Sequence, residues 1–130
     1  MYNWYAVDNS SSRYICPEGW HVPTTDEYDD LSTYLGGNLV AGGKMKETGT
    51  DHWQSESSGT SNFSGFTARG AGYRLTNGTY SYLKNTFVFW TVSYASNSTA
   101  HYLAGSSHTG ALTVFSINKK YGFSVRCLED

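Results

Sequence analysis

Few residues in this sequence have the chemistry for catalysis or metal binding, and they are unevenly distributed. Nine of the eleven acidic residues lie between Asp8 and Glu56, whereas Ser57–Leu128 contains no Asp or Glu. A glycosidase needs two carboxyl groups, and a calcium ion takes about six to eight oxygen ligands, usually with several carboxylates among them. The stretch Ser57–Leu128 therefore supplies neither a glycosidase pair nor a carboxylate-rich calcium site.

The remaining titratable residues show no metal or catalytic motif. The four histidines lack the spacing of H-x-x-x-H: His21, His52, His101 and His108. Four acidic residues crowd the first turns of a predicted helix, where the helix dipole stabilises negative charge: Asp26, Glu27, Asp29 and Asp30. The sequence has no nucleophile elbow, phosphate loop, dinucleotide fingerprint or zinc motif. We therefore predict no catalytic residue, no metal and no cofactor.

Charge, hydropathy and composition limit the possible partners. The net charge is −2, and the six basic residues of Ser57–Leu128 form no cluster, so we predict no binding of nucleic acid. No apolar run reaches the ~20 residues of a membrane span, so we predict no insertion by this segment. Aromatic residues make up 16% of the chain and charged residues only 15%. This composition is typical of an adaptable binding surface and equally of aromatic-rich β-strands.

The elements that position these residues are a helix early in the chain and strands late in it. Thr24 and Glu27 form a capping-box pattern, apolar residues from Tyr28 to Leu35 share one helical face, and Gly36-Gly37 ends the helix. Length and pattern together predict a single α+β domain over residues 1–130.

Other elements are predicted more locally. A strand is predicted at Tyr2–Val7, a short second helix at Asn38–Ala41 ending at Gly42-Gly43, and a long ordered loop at Thr48–Gly72. Further strands are predicted at Tyr73–Leu75, Tyr80–Tyr82, Phe87–Val92, Ala100–Leu103, Ala111–Ile117 and Tyr121–Leu128. The last of these alternates, so that one face carries Tyr121, Phe123, Val125 and Cys127.

Four separated motifs carry a resemblance to a known family. They are Y-N-W-Y-A at Tyr2–Ala6, I-C-P-E-G-W-H-V-P-T at Ile15–Thr24, A-G-G-K-M-K-E-T-G-T at Ala41–Thr50 and Y-G-F-S-V-R-C at Tyr121–Cys127. Through them nearly the whole chain resembles the Fibrobacter succinogenes major paralogous domain. That family usually has a further N-terminal segment, and the resemblance implies that this segment is missing here.

The resemblance implies a fold and a position for a ligand. The family is similar to the formylglycine-generating-enzyme branch of the C-type lectin fold, with a small twisted antiparallel sheet, two helices and long ordered loops. Variable proteins of diversity-generating retroelements use the same fold and often end in G-F-S-V-R. In those proteins the stretch before this motif is diversified and forms the ligand-binding face. The corresponding stretch here is Thr91–Asn118.

Codon chemistry permits this diversification without proving it. Mutation of adenines in Asn codons does not readily produce Lys, Glu, Gln, Met or Trp, and Thr91–Asn118 contains none of them. Ser57–Leu83 lacks them too. The exposed contacts that we expect are Tyr94, Asn97, Thr99, His101, Ser106, His108, Thr113 and Phe115. Because neighbouring residues of a strand face opposite sides, these residues cannot all share one face.

The two cysteines, Cys16 and Cys127, bear on the compartment of the protein and on whether it is an enzyme. In a family of surface proteins their placement implies a disulfide and an oxidising compartment, with two buried free thiols as the alternative. Formylglycine-generating enzymes need a pair of active-site cysteines near the C-terminal end of the domain, and only Cys127 lies there. An enzyme of that type is therefore the least favoured hypothesis.

The leading hypothesis is a non-enzymatic module on an extracellular, cell or virion surface that binds a protein or glycan. The alternative is a structural subunit of a bacterial surface assembly. Tryptophans can stack on sugars, but large aromatic residues more often pack in or near the core. We interpret all four in that way: Trp4, Trp20, Trp53 and Trp90.

Overall fold

The computed structural model describes residues 1–8, 10 and 14–130 and shows a mixed α+β fold. In chain order the elements are a 3-10 helix at Trp4–Ala6, β1 (Trp20–His21), α1 (Thr25–Tyr34), α2 (Asn38–Met45), β2 (Tyr73–Arg74), β3 (Tyr80–Ser81), β4 (Thr86–Tyr94), β5 (Thr99–Ser106), β6 (Thr113–Asn118) and β7 (Leu128–Glu129). The named strands pair antiparallel: β1 with β7, β2 with β3, and a sheet in the order β4-β5-β6. The predicted α+β class, with two helices and small antiparallel sheets, is confirmed.

Helix α1 begins and ends as its sequence predicts. The Oγ1 of Thr24 accepts a hydrogen bond from the Glu27 N–H at 3.2 Å, and the Glu27 carboxylate accepts one from the Thr24 N–H at 2.8 Å. This reciprocal pair satisfies two N–H groups that the helix leaves unpaired. At the other end Gly36 has φ +102°, a left-handed conformation that a helix cannot continue through.

Helix α2 is longer than predicted, because Gly42-Gly43 does not end it and the helix continues to Met45. Both glycines are sites of close backbone approach. A Cβ on Gly43 would lie 2.6 Å from the carbonyl oxygen of Gly59, and one on Gly42 would lie still closer to that of Ala111. These residues are glycines because other segments pack directly on the helix there.

The β4-β5-β6 sheet is covered on both faces. One face carries Phe87 and Leu103, which pack in a cluster with α1 and α2. The opposite face, termed here the outer face, carries Val88 and Trp90, which pack with Phe123 and the N-terminal segment. Helices α1 and α2 therefore cover one side of the sheet, and the N-terminal segment with its 3-10 helix, the β2–β3 hairpin and the chain around Phe123 lie on the other.

The predicted strand at Tyr2–Val7 is wrong, because Trp4–Ala6 forms a 3-10 helix and Tyr2 makes only an isolated bridge to Phe123. The predicted long loop at Thr48–Gly72 is confirmed, since no helix or strand lies within it. Strands β2 to β6 fall at predicted positions, and β4 and β5 extend beyond their predicted bounds.

The predicted strand at Tyr121–Leu128 is also wrong over most of its length. Gly122 bridges to Arg74, Phe123 to Tyr2, and Ser124 to Phe89. Because three successive residues pair with three different segments, no continuous ladder forms. Only Leu128–Glu129 is a strand, paired with β1.

A disulfide joins Cys16 to Cys127, whose Cα atoms are 5.9 Å apart and whose positions are separated by 111 residues. Together with the β1–β7 pair, it holds the two ends of the chain side by side. Within the described ranges, no helix is long and apolar enough to cross a membrane.

Candidate binding cleft

A cleft of about 460 Å³ opens on the outer face of the sheet. Its floor is formed by apolar residues of the sheet, Val88, Ala104 and Ile117, together with Phe123. Its walls are the β2–β3 hairpin with the loop that follows it, and the loop that follows β5. Small-ligand pockets typically span roughly 300–1,000 Å³, so the cleft has the size of a binding site.

An unbroken row of aromatic rings crosses this face. Tyr82 stacks on Tyr73 with ring centroids 5.4 Å apart and an interplanar angle of 14°. Tyr73 meets Phe123 at 5.7 Å, Phe123 meets Tyr102 at 5.1 Å, and Tyr102 meets Phe115 at 6.4 Å. The side chains at the two ends, Tyr82 and Phe115, are each 59% exposed. The row therefore presents accessible ring surface at Tyr82 in the wall of the cleft and at Phe115 on the outer face of β6.

The polar side chains of the cleft are amide, hydroxyl and imidazole groups. Asn85, Thr86, Ser106 and the exposed His108 line it, and among the described lining residues none is Lys, Arg, Asp or Glu. Burial raises the pKa of the Tyr102 phenol, as it does for Tyr73. Both phenols therefore stay protonated at neutral pH and can donate as well as accept hydrogen bonds.

Tyr82 is held in an unfavourable backbone conformation at the wall of the cleft. Its φ is +62°, and that of Lys84 is also +62°. Positive φ is an outlier for a bulky residue and persists only where surrounding contacts impose it. Here the Tyr82 carbonyl accepts hydrogen bonds from the N–H groups of Asn85 at 2.9 Å and Thr86 at 3.2 Å, and the Lys84 N–H donates to Gly70 at 2.6 Å. The loop thus fixes the Tyr82 ring against Tyr73.

Lys46 fixes the opposite wall. The residue is 2% exposed, and its Nζ donates to the Ser57 hydroxyl at 2.6 Å and to the carbonyls of Ser106 and Thr109, both at 2.8 Å. All three ammonium protons therefore have neutral acceptors. Burial lowers the pKa of Lys46. Because Ser106 and Thr109 flank His108, this ammonium group sets the position of the loop that carries His108.

Half of the eight predicted contact residues gather around the cleft. Ser106 and His108 line it. Thr113 and Phe115 pair with Ala104 and Tyr102, so they lie on the same outer face of the sheet. Of the other four, Thr99 and His101 lie on the helix-covered face and Asn97 lies in the β4–β5 turn. Tyr94, at the end of β4, pairs with Ala100 and contacts the Trp4 ring on the outer face, but it does not line the cleft.

The structure adds three tyrosines that the sequence prediction missed. Tyr73 and Tyr82 lie outside Thr91–Asn118, and Tyr102 lies inside it but is not among the eight predicted contacts. The abundance of tyrosine was the available signal, but no local pattern shows which tyrosines meet.

The tryptophans are mostly core residues, with one exception. Trp4, Trp53 and Trp90 are buried, and each indole N–H donates to a backbone carbonyl. Trp20 was interpreted as a core residue, but it is 44% exposed. Strand β1 contains only two residues and pairs with β7 alone, which leaves the Trp20 ring at the surface.

A polar cluster outside the cleft joins both ends of the chain. His21 Nδ1 lies 2.6 Å from an Asp130 carboxylate oxygen, and Nε2 lies 2.7 Å from one of Glu27. These two hydrogen bonds, that with Asp130 first, raise the pKa of His21. Across the part of the chain that the structure describes, no group of three or more His, Cys, Asp or Glu side chains could hold a metal ion.

Fold and cleft together define a small α+β domain with helices on one side of its sheet and an open aromatic site on the other. The family model of the Fibrobacter succinogenes major domain (Fib_succ_major) matches residues 1–129, and the chain belongs to that family. No curated protein and no solved structure shows a significant match to it.

Proposed function

We propose that this domain is a non-enzymatic ligand-binding module and that its recognition surface is the aromatic cleft with the adjoining outer face of β6. The observation that carries the proposal is the row of five rings from Tyr82 to Phe115, flanked by hydrogen-bonding side chains with no Lys, Arg, Asp or Glu among them. Aromatic rings with hydroxyl and amide groups are typical of adaptable binding surfaces. Of the stretch Thr91–Asn118 that the resemblance indicates, the proposed surface includes only residues on the outer side of the sheet. It also includes Tyr73 and Tyr82, which lie outside that stretch.

We further propose a C-type-lectin-like scaffold of the formylglycine-generating-enzyme branch, with a recognition surface of the diversified type. The adjacent chain ends and the contribution of β5 and β6 to the cleft support this assignment. The ligand would be a protein or glycan met outside the cytoplasm, on a cell or virion surface. The Cys16–Cys127 disulfide supports that location, because such bonds persist in oxidising compartments.

Two other functions are less well supported. A formylglycine-generating type of enzyme needs reactive thiols, whereas both cysteines of this chain are joined to each other. A structural subunit of a surface assembly would use an apolar contact surface, and Tyr34 and Leu39 on the helices are 80% and 84% exposed. A substitution at this helix surface is therefore a matched control for a substitution in the cleft.

The experiment is a binding screen of the domain against glycan arrays and a displayed peptide library, repeated with two variants. Tyr82→Asn removes a cleft ring and suits positive φ, because Asn tolerates the left-handed region. Tyr34→Asn makes the same change on the exposed surface of α1. We expect the best ligand to lose about tenfold or more in affinity with Tyr82→Asn and to be unaffected by Tyr34→Asn. Binding that depends on Tyr34 but not on Tyr82 would instead favour the structural subunit.

A further inference from the structure

We infer that the cleft recognises a neutral glycan, with an uncharged sugar ring stacked on the exposed aromatic surface and bound without calcium. This inference rests on the proposed binding function and specifies its ligand. It depends on three properties of the site: its lack of Lys, Arg, Asp and Glu, its pairing of ring faces with groups that both donate and accept hydrogen bonds, and its fixed walls.

The absence of Lys, Arg, Asp and Glu from the lining disfavours ionic ligands. Its described lining carries no Lys, Arg, Asp or Glu, and Ser57–Leu128 contains no carboxylate. The nearby Lys46 ammonium is already bonded to three acceptors. A phosphate, uronate or sialic acid would therefore lose hydration without gaining a Lys or Arg counter-charge. Calcium would find no carboxylate in this part of the chain.

The arrangement of the rings disfavours a quaternary ammonium ligand, which aromatic cages recognise elsewhere. Such a cage needs rings that surround the cation. Tyr73 and Tyr82 instead lie face to face at 14°, so each ring covers the face that the other would offer. The two ring faces that meet are therefore not accessible to a cation.

A sugar ring matches the exposed ring surface and the hydrogen-bonding side chains of the cleft. Its C–H faces are apolar and its hydroxyls both donate and accept hydrogen bonds. The cleft offers ring surface at Tyr82 and Tyr102, and the Asn85 amide, the Ser106 hydroxyl and the protonated Tyr102 phenol all donate and accept. A proline-rich peptide also docks on aromatic grooves but presents mainly carbonyl acceptors, so it would use only the hydrogen-bond donors of the cleft.

The walls of the cleft are formed before the ligand arrives. Hydrogen bonds to Gly70 and within the loop hold Tyr82 in place, and Lys46 holds the Ser106–Thr109 loop. Binding therefore requires little ordering of the protein, which favours measurable affinity for a small ligand. Ordering polar side chains costs free energy when a sugar binds, and these preformed walls reduce that cost.

The test is a titration of the 15N-labelled domain, followed by amide NMR shifts and calorimetry. The probes are neutral gluco-, manno-, galacto- and xylo-oligosaccharides, a uronate oligosaccharide, choline and a proline-rich peptide. We expect a neutral oligosaccharide to bind best and to shift amides of 82–85 and 102–108. Its affinity should be unchanged by EDTA and vary less than about twofold between low and high salt, because no charge pair contributes.

Three variants make this test specific. Tyr102→Phe removes one hydroxyl and keeps the ring, and Tyr82→Asn removes an exposed ring. Each should weaken sugar binding about tenfold or more, while Tyr34→Asn should leave it unchanged. Matching melting temperatures and circular dichroism would show that the variants are folded.

The possible failures are distinguishable. Preferential binding of the uronate, choline or the peptide at the same amides, or loss of binding in EDTA, would overturn the neutral-glycan inference and leave the binding cleft standing. If neither these probes nor any ligand from the screen responds to Tyr82→Asn, the inference and the proposed function both fail.

Discussion

His21 is held between carboxylates from distant parts of the sequence. Asp130 follows β7, and Glu27 belongs to the first turn of α1. Because each ring nitrogen faces an acceptor, only the doubly protonated imidazolium can donate to both. The charge on His21 therefore links the β1–β7 pair to the start of the helix.

This geometry predicts a pH dependence of stability with a defined sign. Since the pKa of His21 is raised in the folded state, its contribution is complete below about pH 6.5, the ordinary value, and is lost as pH rises through the folded pKa. We expect the melting temperature of the wild type to exceed that of His21→Gln most near about pH 6 and least near about pH 9. His108→Gln, at an exposed histidine, is the control. A difference that grows with pH would contradict the assignment.

The sequence predicts residue roles only where the partners are close. The capping box spans Thr24–Glu27 and was predictable because both partners lie within one turn. The acceptors of Lys46 are 11, 60 and 63 residues away, so its role depends on the complete fold. Tyr82 is similar, because two longer-range hydrogen bonds of Lys84 help to impose the loop conformation: its N–H donates to the Gly70 carbonyl, and its carbonyl accepts from the Gln54 N–H.

Among the elements, periodicity predicts which side chains are buried together better than it predicts hydrogen bonding. Tyr121, Phe123, Val125 and Cys127 all belong to the cluster on the outer face, as their alternation indicates. The segment is nonetheless not a strand, since its backbone partners change from residue to residue. Gly42-Gly43 was misinterpreted for a related reason: a glycine required for close packing resembles a glycine that ends a helix.

The alternation of β5 and β6 predicts where natural variation lies if this surface is diversified. Substitutions should concentrate at outer-face and cleft positions, Ser106, His108, Thr113 and Phe115, and at codons derivable from Asn. They should spare the buried positions Ala100, Leu103, Ser107 and Leu112, because a change there would disrupt the core. Deep sequencing of natural copies of the gene measures this. Variation spread evenly over buried and exposed positions, or concentrated outside Thr91–Asn118, would contradict diversification and leave a binder of fixed specificity.

On the scale of the whole molecule, early and late parts of the chain have different roles. The helices come from residues 25–45 and cover one face of the sheet, whereas the cleft is built from residues 73–123. The two chain ends meet at β1–β7, at the Tyr2–Phe123 bridge and at the disulfide. Because Phe123 is also the floor of the cleft, the contacts that join the ends support the site as well.

The Cys16–Cys127 disulfide should contribute strongly to the stability of the domain. Closing a loop of this size stabilises a protein by about 4–5 kcal/mol in the chain-entropy model, a large share of a typical free energy of unfolding of about 5–15 kcal/mol. We therefore expect the double variant Cys16→Ala/Cys127→Ala to lose about that amount in urea unfolding. Reductant should destabilise the wild type to the same extent and leave the double variant unchanged, which controls for other effects of the reagent.

The same experiment bears on where the domain functions. A protein that depends on this bond would be poorly folded in a reducing compartment, whereas one that does not could work on either side of a membrane. If reduction lowers the free energy of unfolding by less than about 1 kcal/mol, the non-covalent contacts between the chain ends suffice. The strongest physical support for a location outside the cytoplasm would then be lost, while the argument for the cleft, which rests on its rings and polar groups, would be unaffected.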